Sequence, residues 1–408
     1  MHGENMKDRK IALIYDKLDV YAGGERVLEQ MIAQYPQSDL CVSVDIMKAA
    51  DRGFLRGKVP ITTFAQKLPF VRYHHRHFLL LLMFAMEQLD LSDYQLVLSG
   101  SASIAKGVIT GPDQLHISYV HSPMRYAWDM QHQYLGEANL DRGIRSFLAR
   151  YMLHRARGWD LRTCNGVDYF IANSQFIARR IWKVYRREAT VIYPPVDVDS
   201  FSLRTNKEPF YLTASRMVPY KKMAAIVEAF RALPDRKLVV VGDGPELKRI
   251  KSFAGPNVEI LGYQPSSVLC DLMQSARCFI FAAEEDFGIA PVEAQACGTP
   301  VLAFGRGGAL ETVRGLDHPK PTGVFFDRQE AATIAEGVLT FERNEDRIAP
   351  LDCWQNAQRF STQIFRETYS GFVERSWDVF QSLPAMPTGL DRQLALQEAA
   401  QGIPGVAA

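Results

Sequence analysis

Short apolar runs of four or five residues recur along the chain, separated by stretches whose apolar positions repeat with helical spacing. In the first half the runs are Ile11-Ala-Leu-Ile-Tyr15, Leu96-Val-Leu-Ser99, Ile117-Ser-Tyr-Val120 and Tyr169-Phe-Ile-Ala172. In the second they are Tyr211-Leu-Thr-Ala214, Leu238-Val-Val-Val241, Val258-Glu-Ile-Leu261, Phe279-Ile-Phe-Ala282 and Val301-Leu-Ala-Phe304. Strands with near-continuous apolar runs belong to parallel sheets that helices cover on both faces. The alternation therefore predicts an α/β chain of doubly wound sheets. Val191-Ile-Tyr-Pro-Pro-Val-Asp197 divides the series, because its paired prolines make an extended, stiff connector. Domains spanning residues 1–195 and 196–369 are expected on either side. Trp354 to Phe380 reads as one long amphipathic helix, and residues 385–408, rich in Ala, Gly, Gln and Pro, read as a poorly ordered tail.

One segment holds more than a packing pattern. After Phe279-Ile-Phe-Ala-Ala283, the sequence Glu285-Asp-Phe-Gly-Ile-Ala-Pro-Val-Glu293 reads as a loop running into a helix. Gly288 lets the backbone turn, Pro291 suits a first helical turn, and Gly298-Thr299-Pro300 stops the helix. Glu285 then precedes the helix and Glu293 sits in its early turns. Backbone N–H groups near Phe287, Gly288 and Ile289 would form an anion site between them. A diphosphate flanked by carboxylates that accept hydroxyl hydrogen bonds is what a nucleotide-sugar requires.

Two further strand ends carry polar groups suited to phosphate. Arg216 and Lys221 bracket the loop after Tyr211–Ala214, at the carboxyl end of a strand, where doubly wound sheets bind ligands. Two fixed cations there can neutralise the charge that grows on a departing diphosphate; Lys222 is the alternative if the register is shifted by one. Gly23-Gly24 follows the first strand and opens a helix, which lets backbone N–H groups approach a phosphate closely. Gly242-Asp-Gly-Pro-Glu-Leu247 has leucine at the third glycine position of the dinucleotide fingerprint, which disfavours an NAD site.

The Glu285-x7-Glu293 segment resembles the motif of retaining glycosyltransferases of the GT-B architecture, family 4 in particular. The resemblance implies two Rossmann-like domains facing each other across a cleft, with a C-terminal helix (about residues 370–384) crossing back to the first. Arg216 and Lys221 are similar to the family's Arg-x4-Lys pair, Gly23-Gly24 to its glycine loop, and Gly242–Pro245 to a structural turn. Ile117-Ser-Tyr-Val-His121-Ser-Pro-Met-Arg125-Tyr-Ala-Trp128 resembles bacterial polysaccharide mannosyltransferases. That likeness implies that His121 positions a hydroxyl of the transferred sugar, and that Arg125, Tyr126 and Trp128 shape the acceptor surface. By the family's mechanism, Glu285 holds sugar hydroxyls, Glu293 holds the ribose, and a phosphate oxygen of the leaving group takes the acceptor's proton.

The expected activity is mannosyl transfer from GDP-mannose to a lipid-linked oligosaccharide in cell-surface polysaccharide assembly. Another GDP- or UDP-sugar stays open as donor, and a nucleotide-sugar epimerase or a non-enzymatic nucleotide-sugar sensor is the rival on the same fold. No nucleic-acid partner is expected. Neither a cofactor nor a metal is expected: the only Asp-x-Asp, Asp197-Val-Asp199, lies in the connector without nearby histidines.

Charge and cysteine content add location. Residues 1–195 hold 25 Lys/Arg against 19 Asp/Glu, and the rest 22 against 27, so the first half is the better partner for an anionic surface. The six cysteines include no Cys-x-x-Cys pair and fit a reducing compartment. The polar, charged N-terminus reads as no signal peptide, and the longest apolar run, Phe78–Met86, is far short of the ~20 residues that span a bilayer. A cytoplasmic protein is expected, docked on the inner membrane's cytoplasmic face. The candidate docking elements are the His74-to-Met86 segment and an Arg-flanked helix bearing Ile144, Phe147, Leu148, Tyr151 and Met152. For that helix, a core-facing apolar stripe with a solvated basic face is the equal alternative.

Overall fold

The computed structural model describes residues 9–71, 78–383 and 395. The proposed tail, the N-terminal octapeptide and residues 72–77, which include the start of the His74-to-Met86 candidate membrane segment, lie outside these, Ala395 apart. The chain divides into two compact units, one of residues 1–193 with 365–408 and the other of residues 194–364.

In the first unit seven parallel strands form one sheet: β1 (Ile11–Tyr15), β2 (Asp39–Val42), β3 (Ile61–Thr62), β4 (Leu96–Ser101), β5 (Leu115–Val120), β6 (Tyr169–Ala172) and β7 (Thr190–Val191). Their order is β3-β2-β1-β4-β5-β6-β7, so the chain reverses direction across the sheet between β1 and β4. All five residues of β1 are buried, as a strand covered on both faces requires. Ile11, Leu13 and Tyr15 point into one core layer, and Ala12 and Ile14 into the other.

The first of these layers is completed by the far end of the chain. The Thr362–Ser382 helix buries Phe365, Tyr369, Phe372, Val373 and Trp377, a spacing that keeps them on one face. Tyr369 packs edge-on to Tyr35 and Tyr119, with ring centroids 6.4 and 6.5 Å away.

The second unit has six parallel strands: β8 (Glu208–Ala214), β9 (Lys237–Val241), β10 (Val258–Gly262), β11 (Ala276–Phe281), β12 (Val301–Phe304) and β13 (Gly323–Phe326). The order β10-β9-β8-β11-β12-β13 repeats the same winding, with the reversal between β8 and β11. Each unit is thus a Rossmann-like doubly wound sheet.

The single long helix expected from Trp354 to Phe380 is two helices, Pro350–Gln358 and Thr362–Ser382. Periodicity carries on through the break; tertiary contacts make it. Phe360 is buried with its ring 5.4 Å from Phe287, and its carbonyl accepts the N–H of Val196 at 2.9 Å. Ser361 then starts the next helix, its hydroxyl accepting the N–H of Ile364 at 3.3 Å.

Candidate functional site

In the second unit the candidate groups gather where the strand order reverses, the position at which open α/β sheets take ligands. β8 and β11 are hydrogen-bonded neighbours. The loop leaving β8 carries Arg216 and Lys221, and the loop leaving β11 carries Glu285. Lys221 and Glu285 form a salt bridge, both side chains largely shielded from solvent. The Lys221 ammonium also lies 5.5 and 5.9 Å from the centroids of the Tyr220 and Phe281 rings. Arg216 is exposed, and Lys222 takes a left-handed conformation (φ 56°) that ends the Pro219–Lys221 turn and starts the Met223–Ala229 helix.

The Glu-x7-Glu segment is a loop followed by the Ile289–Ala296 helix. Gly288 is its N-cap, left-handed at φ 89°, and Pro291 lies in the first turn. The Phe287 side chain is buried against Phe360, so this residue offers its backbone rather than its ring. Ile289 opens the helix, and Glu293 stands one turn on, partly buried.

Several residues that the sequence motifs did not single out hold this geometry. Gly307 and Gly308, after β12, run against the backbone of the Glu285 loop: Gly308 N–H donates to the Glu285 carbonyl at 2.8 Å. A Cβ at Gly308 would lie 2.3 Å from Phe287 Cα, so no side chain fits there. Beneath the helix, buried Gln295 donates to the carbonyls of Pro291 (3.0 Å) and Thr312 (2.8 Å), and accepts from Asn356 Nδ2 at 2.7 Å. Lys207 Nζ donates to the carbonyls of Gln274 and Cys297 and to Thr299 Oγ1, tying down the helix exit. The Gly242–Pro245 turn has a matching role for Arg216: Met217 N–H donates to the Asp243 carbonyl at 2.9 Å, and Glu246 N–H to the Met217 carbonyl at 3.1 Å. In the sequence, the Gly242–Pro245 turn and the glycine-rich Gly305-Arg-Gly-Gly308 stretch are the signals for these supports.

In the first unit, Gly23 and Gly24 open the Gly23–Gln34 helix directly after the β1 loop. Glu25, buried, accepts the Ala22 N–H at 3.0 Å and the Tyr15 hydroxyl at 3.1 Å. Burial is the main influence on its carboxyl and raises it above the usual range. A Cβ on Gly24 would come 2.4 Å from the Tyr15 hydroxyl, which is why this tyrosine and the glycine loop can share the space.

His121 follows β5. Its N–H donates to the Ser101 carbonyl at 2.8 Å, and its carbonyl accepts from Asn173 Nδ2 at 3.0 Å. Its ring stands edge-on to Tyr15, with centroids 6.2 Å apart, and 5.2 Å from Tyr119. Nε2 is buried without a hydrogen-bond partner. Burial pushes the imidazole down to about 4, so it is neutral near physiological pH. Asp16, at the end of β1, accepts the N–H groups of Ala102 (2.7 Å), Ile104 (2.7 Å) and Ala105 (2.6 Å), fixing the loop after β4.

The acceptor candidates divide. Arg125 is partly buried, its carbonyl accepting the Met130 N–H. The Tyr126 hydroxyl shares a 2.6 Å hydrogen bond with Ser103. Trp128 Nε1 donates at 2.8 Å to Asp160, a buried carboxylate that also pairs with Lys106 and accepts from Tyr185. The polar atoms of Tyr126 and Trp128 are therefore engaged in the fold.

Among the described residues no group of three His, Cys, Asp or Glu side chains is placed to hold a metal ion, and no helix is long and apolar enough to cross a membrane.

Residues 21–200 match the family described as Glycosyltransferase Family 4, and residues 197–360 match Glycosyl transferases group 1. A GDP-mannose-dependent monoacylated alpha-(1-6)-phosphatidylinositol monomannoside mannosyltransferase of Corynebacterium glutamicum is 30% identical over 213 residues, covering 45% of this chain and 54% of that one. A GDP-mannose-dependent alpha-(1-6)-phosphatidylinositol monomannoside mannosyltransferase of Mycobacterium tuberculosis is 28% identical over 242 residues, covering 51% of this chain and 62% of that one. The matched stretch thus spans little more than half the length of these relatives. Among solved structures, a sucrose-phosphate synthase of Thermosynechococcus elongatus superposes with a TM-score of 0.66 at 16% identity, covering 91% of this chain and 99% of that one. The Anabaena protein Alr3699/HepE, solved with UDP and glucose, superposes at 0.62 with 18% identity, covering 90% and 99%. Both likenesses establish the fold.

Proposed function

We propose that this chain, which belongs to the GT-B glycosyltransferases through its family 4 and group 1 halves, moves a mannosyl group from GDP-mannose to a lipid-linked acceptor. The observation that carries the reading is the Lys221–Glu285 pair at the β8–β11 switch point, directly before the Ile289–Ala296 helix. A cation for the diphosphate and a carboxylate for the sugar stand side by side, with a helix N-terminus next in the chain.

In this reading Lys221 and Arg216 offset the negative charge that accumulates as the diphosphate departs. Glu285 accepts hydrogen bonds from sugar hydroxyls, and Glu293 from the ribose. His121, neutral, positions a hydroxyl of the sugar by hydrogen bonding. The bond from the anomeric carbon to the phosphate oxygen breaks, and a bond from that carbon to the acceptor oxygen forms on the same face. The acceptor's proton passes to the departing phosphate oxygen, so GDP leaves and the configuration is retained. No divalent ion is called for. The relatives matched by sequence are named for GDP-mannose and for phosphatidylinositol mannosides, which supports both the donor and a lipid-borne acceptor at a membrane surface.

Calorimetric titration with GDP-mannose, UDP-glucose and UDP-N-acetylglucosamine, without added metal, tests this. Selective GDP-mannose binding that Lys221→Ala or Arg216→Ala weakens is the expected result. Selective UDP-sugar binding would overturn the donor, and binding of none would overturn the assignment of this site.

A further inference from the structure

Over its first three turns the Gly143–Thr163 helix is turned inside out. The side chains it buries are small or polar: Ser146, Ala149, Ala156, Asp160 and Thr163. Five large apolar ones near its start face away from the protein, with Ile144 72%, Phe147 65%, Leu148 52%, Tyr151 54% and Met152 40% exposed, whereas Leu153 and Trp159 pack against the core. At 3.6 residues per turn these five share one face over the first three turns, a stripe ~13 Å long. An isolated exposed leucine needs no explanation, but a contiguous apolar face of this size marks an interaction surface.

The charges around the stripe identify what it meets. From Arg142 to Trp159 the sequence contains no Asp or Glu. Arg145 and Arg155 are exposed; Arg155 continues the outward face one turn on, and Arg145 borders it. Arg142, at the N-cap, is exposed as well but stands 3.7 Å from the Asp141 carboxylate. Arg150 and Arg157 instead bend to Ser146 and to the Ala127 carbonyl and Gln131. Bulky apolar residues at the centre and arginines at the edge match a bilayer interface, where the apolar side chains reach the acyl boundary and the guanidinium groups reach lipid phosphates. A protein partner would more commonly meet hydrogen-bonding groups in the stripe, and only Tyr151 supplies one.

We propose that the outward face of Ile144–Met152, with Arg145 and Arg155, is the docking surface of this chain on an anionic lipid bilayer. The proposal deepens the reading above, resting on an acceptor that is itself a lipid. It replaces the core-facing stripe that the sequence equally allowed.

Co-sedimentation of the full chain with phosphatidylglycerol vesicles and with phosphatidylcholine vesicles tests it. The chain is expected to bind the anionic vesicles at low salt and to be released as salt rises. Arg145→Gln with Arg155→Gln should weaken partitioning about thirtyfold, and Phe147→Ser with Leu148→Ser at least about tenfold. Both pairs are solvent-exposed, so each variant should keep the melting temperature of the parent. Absence of vesicle binding, equal binding by the variants, or a dimer in solution that these substitutions dissociate would each overturn the proposal. GDP-mannose binding followed in the same samples separates the two readings: its absence with vesicle binding intact would sink the mannosyl-transfer assignment and leave the docking surface standing.

Discussion

The ammonium of Lys221 is bonded to the carboxylate of Glu285, so the cation assigned to the diphosphate and the anion assigned to the sugar neutralise one another before any ligand arrives. A donor that engages both must exchange this pair for two new sets of hydrogen bonds. Removing one partner therefore has opposite consequences for nucleotide and for turnover. Lys221→Ala should weaken GDP binding about ten- to hundredfold, the loss of a charge-assisted contact. Glu285→Ala should leave GDP binding equal or tighter while transfer falls steeply. Calorimetry with GDP beside a steady-state assay decides this, and weaker GDP binding in Glu285→Ala would argue against the shared site.

Glu293 stands inside the Ile289–Ala296 helix, one turn beyond the loop that carries Glu285. Its proposed partner is the ribose, which is bound equally in ground and transition states. Glu293→Ala should therefore raise KM about tenfold with little change in kcat. A selective fall in kcat would move Glu293 into the chemical step.

Gly308 touches no ligand in the proposed scheme, yet it backs the Glu285 loop. Because an added Cβ would sit 2.3 Å from Phe287 Cα, Gly308→Ala must displace that loop. Donor affinity should fall by an order of magnitude or more while circular dichroism stays that of the parent. Wild-type donor binding in Gly308→Ala would show that the loop tolerates the shift.

Arg216, Lys221 and the helix N-terminus carry the positive field of the proposed mechanism. Dialysis against a chelator should accordingly leave GDP-mannose turnover unchanged, and added magnesium should not raise it. A chelator-sensitive rate restored by a divalent ion would require a different account of leaving-group stabilisation.

Two histidines make stability depend on acid. Burial pushes both His116 and His121 down to about 4 from an ordinary 6.5. Between those values the unfolded chain binds more protons than the native one, so stability is full above 6.5 and is lost as pH falls toward 4. At about pH 5 the loss is about 2 kcal/mol for each. His116, hydrogen-bonded to Ser99 at 2.9 Å and to the Gly166 carbonyl at 3.0 Å, is the cleaner probe. His116→Gln should roughly halve the fall in melting temperature between neutral and mildly acidic buffer; an unchanged slope would mean that carboxylates dominate it.

The long apolar strands were legible because burial on both faces writes itself as an uninterrupted run, as in Ile11–Tyr15 and Leu238–Val241. β2, β3, β7 and β13 were not, being two to four residues long and in two cases opening on Asp39 or Gly323, which carry no strand preference. The break at Arg359–Ser361 was hidden because contacts with Phe287 and Val196, distant in sequence, impose it. In the candidate site the same division holds. Residues that offer charge to a ligand form local patterns, such as Glu285-x7-Glu293. Those that hold the pattern in place from afar, Gln295, Asn356 and Lys207, act across the fold and leave no spacing to read. The outward stripe on the Gly143–Thr163 helix shows the limit from the other side: its periodicity was visible, but which way it faced was not.

The core of the first unit closes with a helix drawn from the chain's far end, through Tyr35 against Tyr369 and Tyr119 against Phe365. On a ribosome, those partners are synthesised only after the whole of residues 194–364. The second unit, continuous in sequence, can reach its native state during translation, whereas the first must wait with one apolar layer incomplete. In this chain, the domain that is made first is the one that finishes folding last.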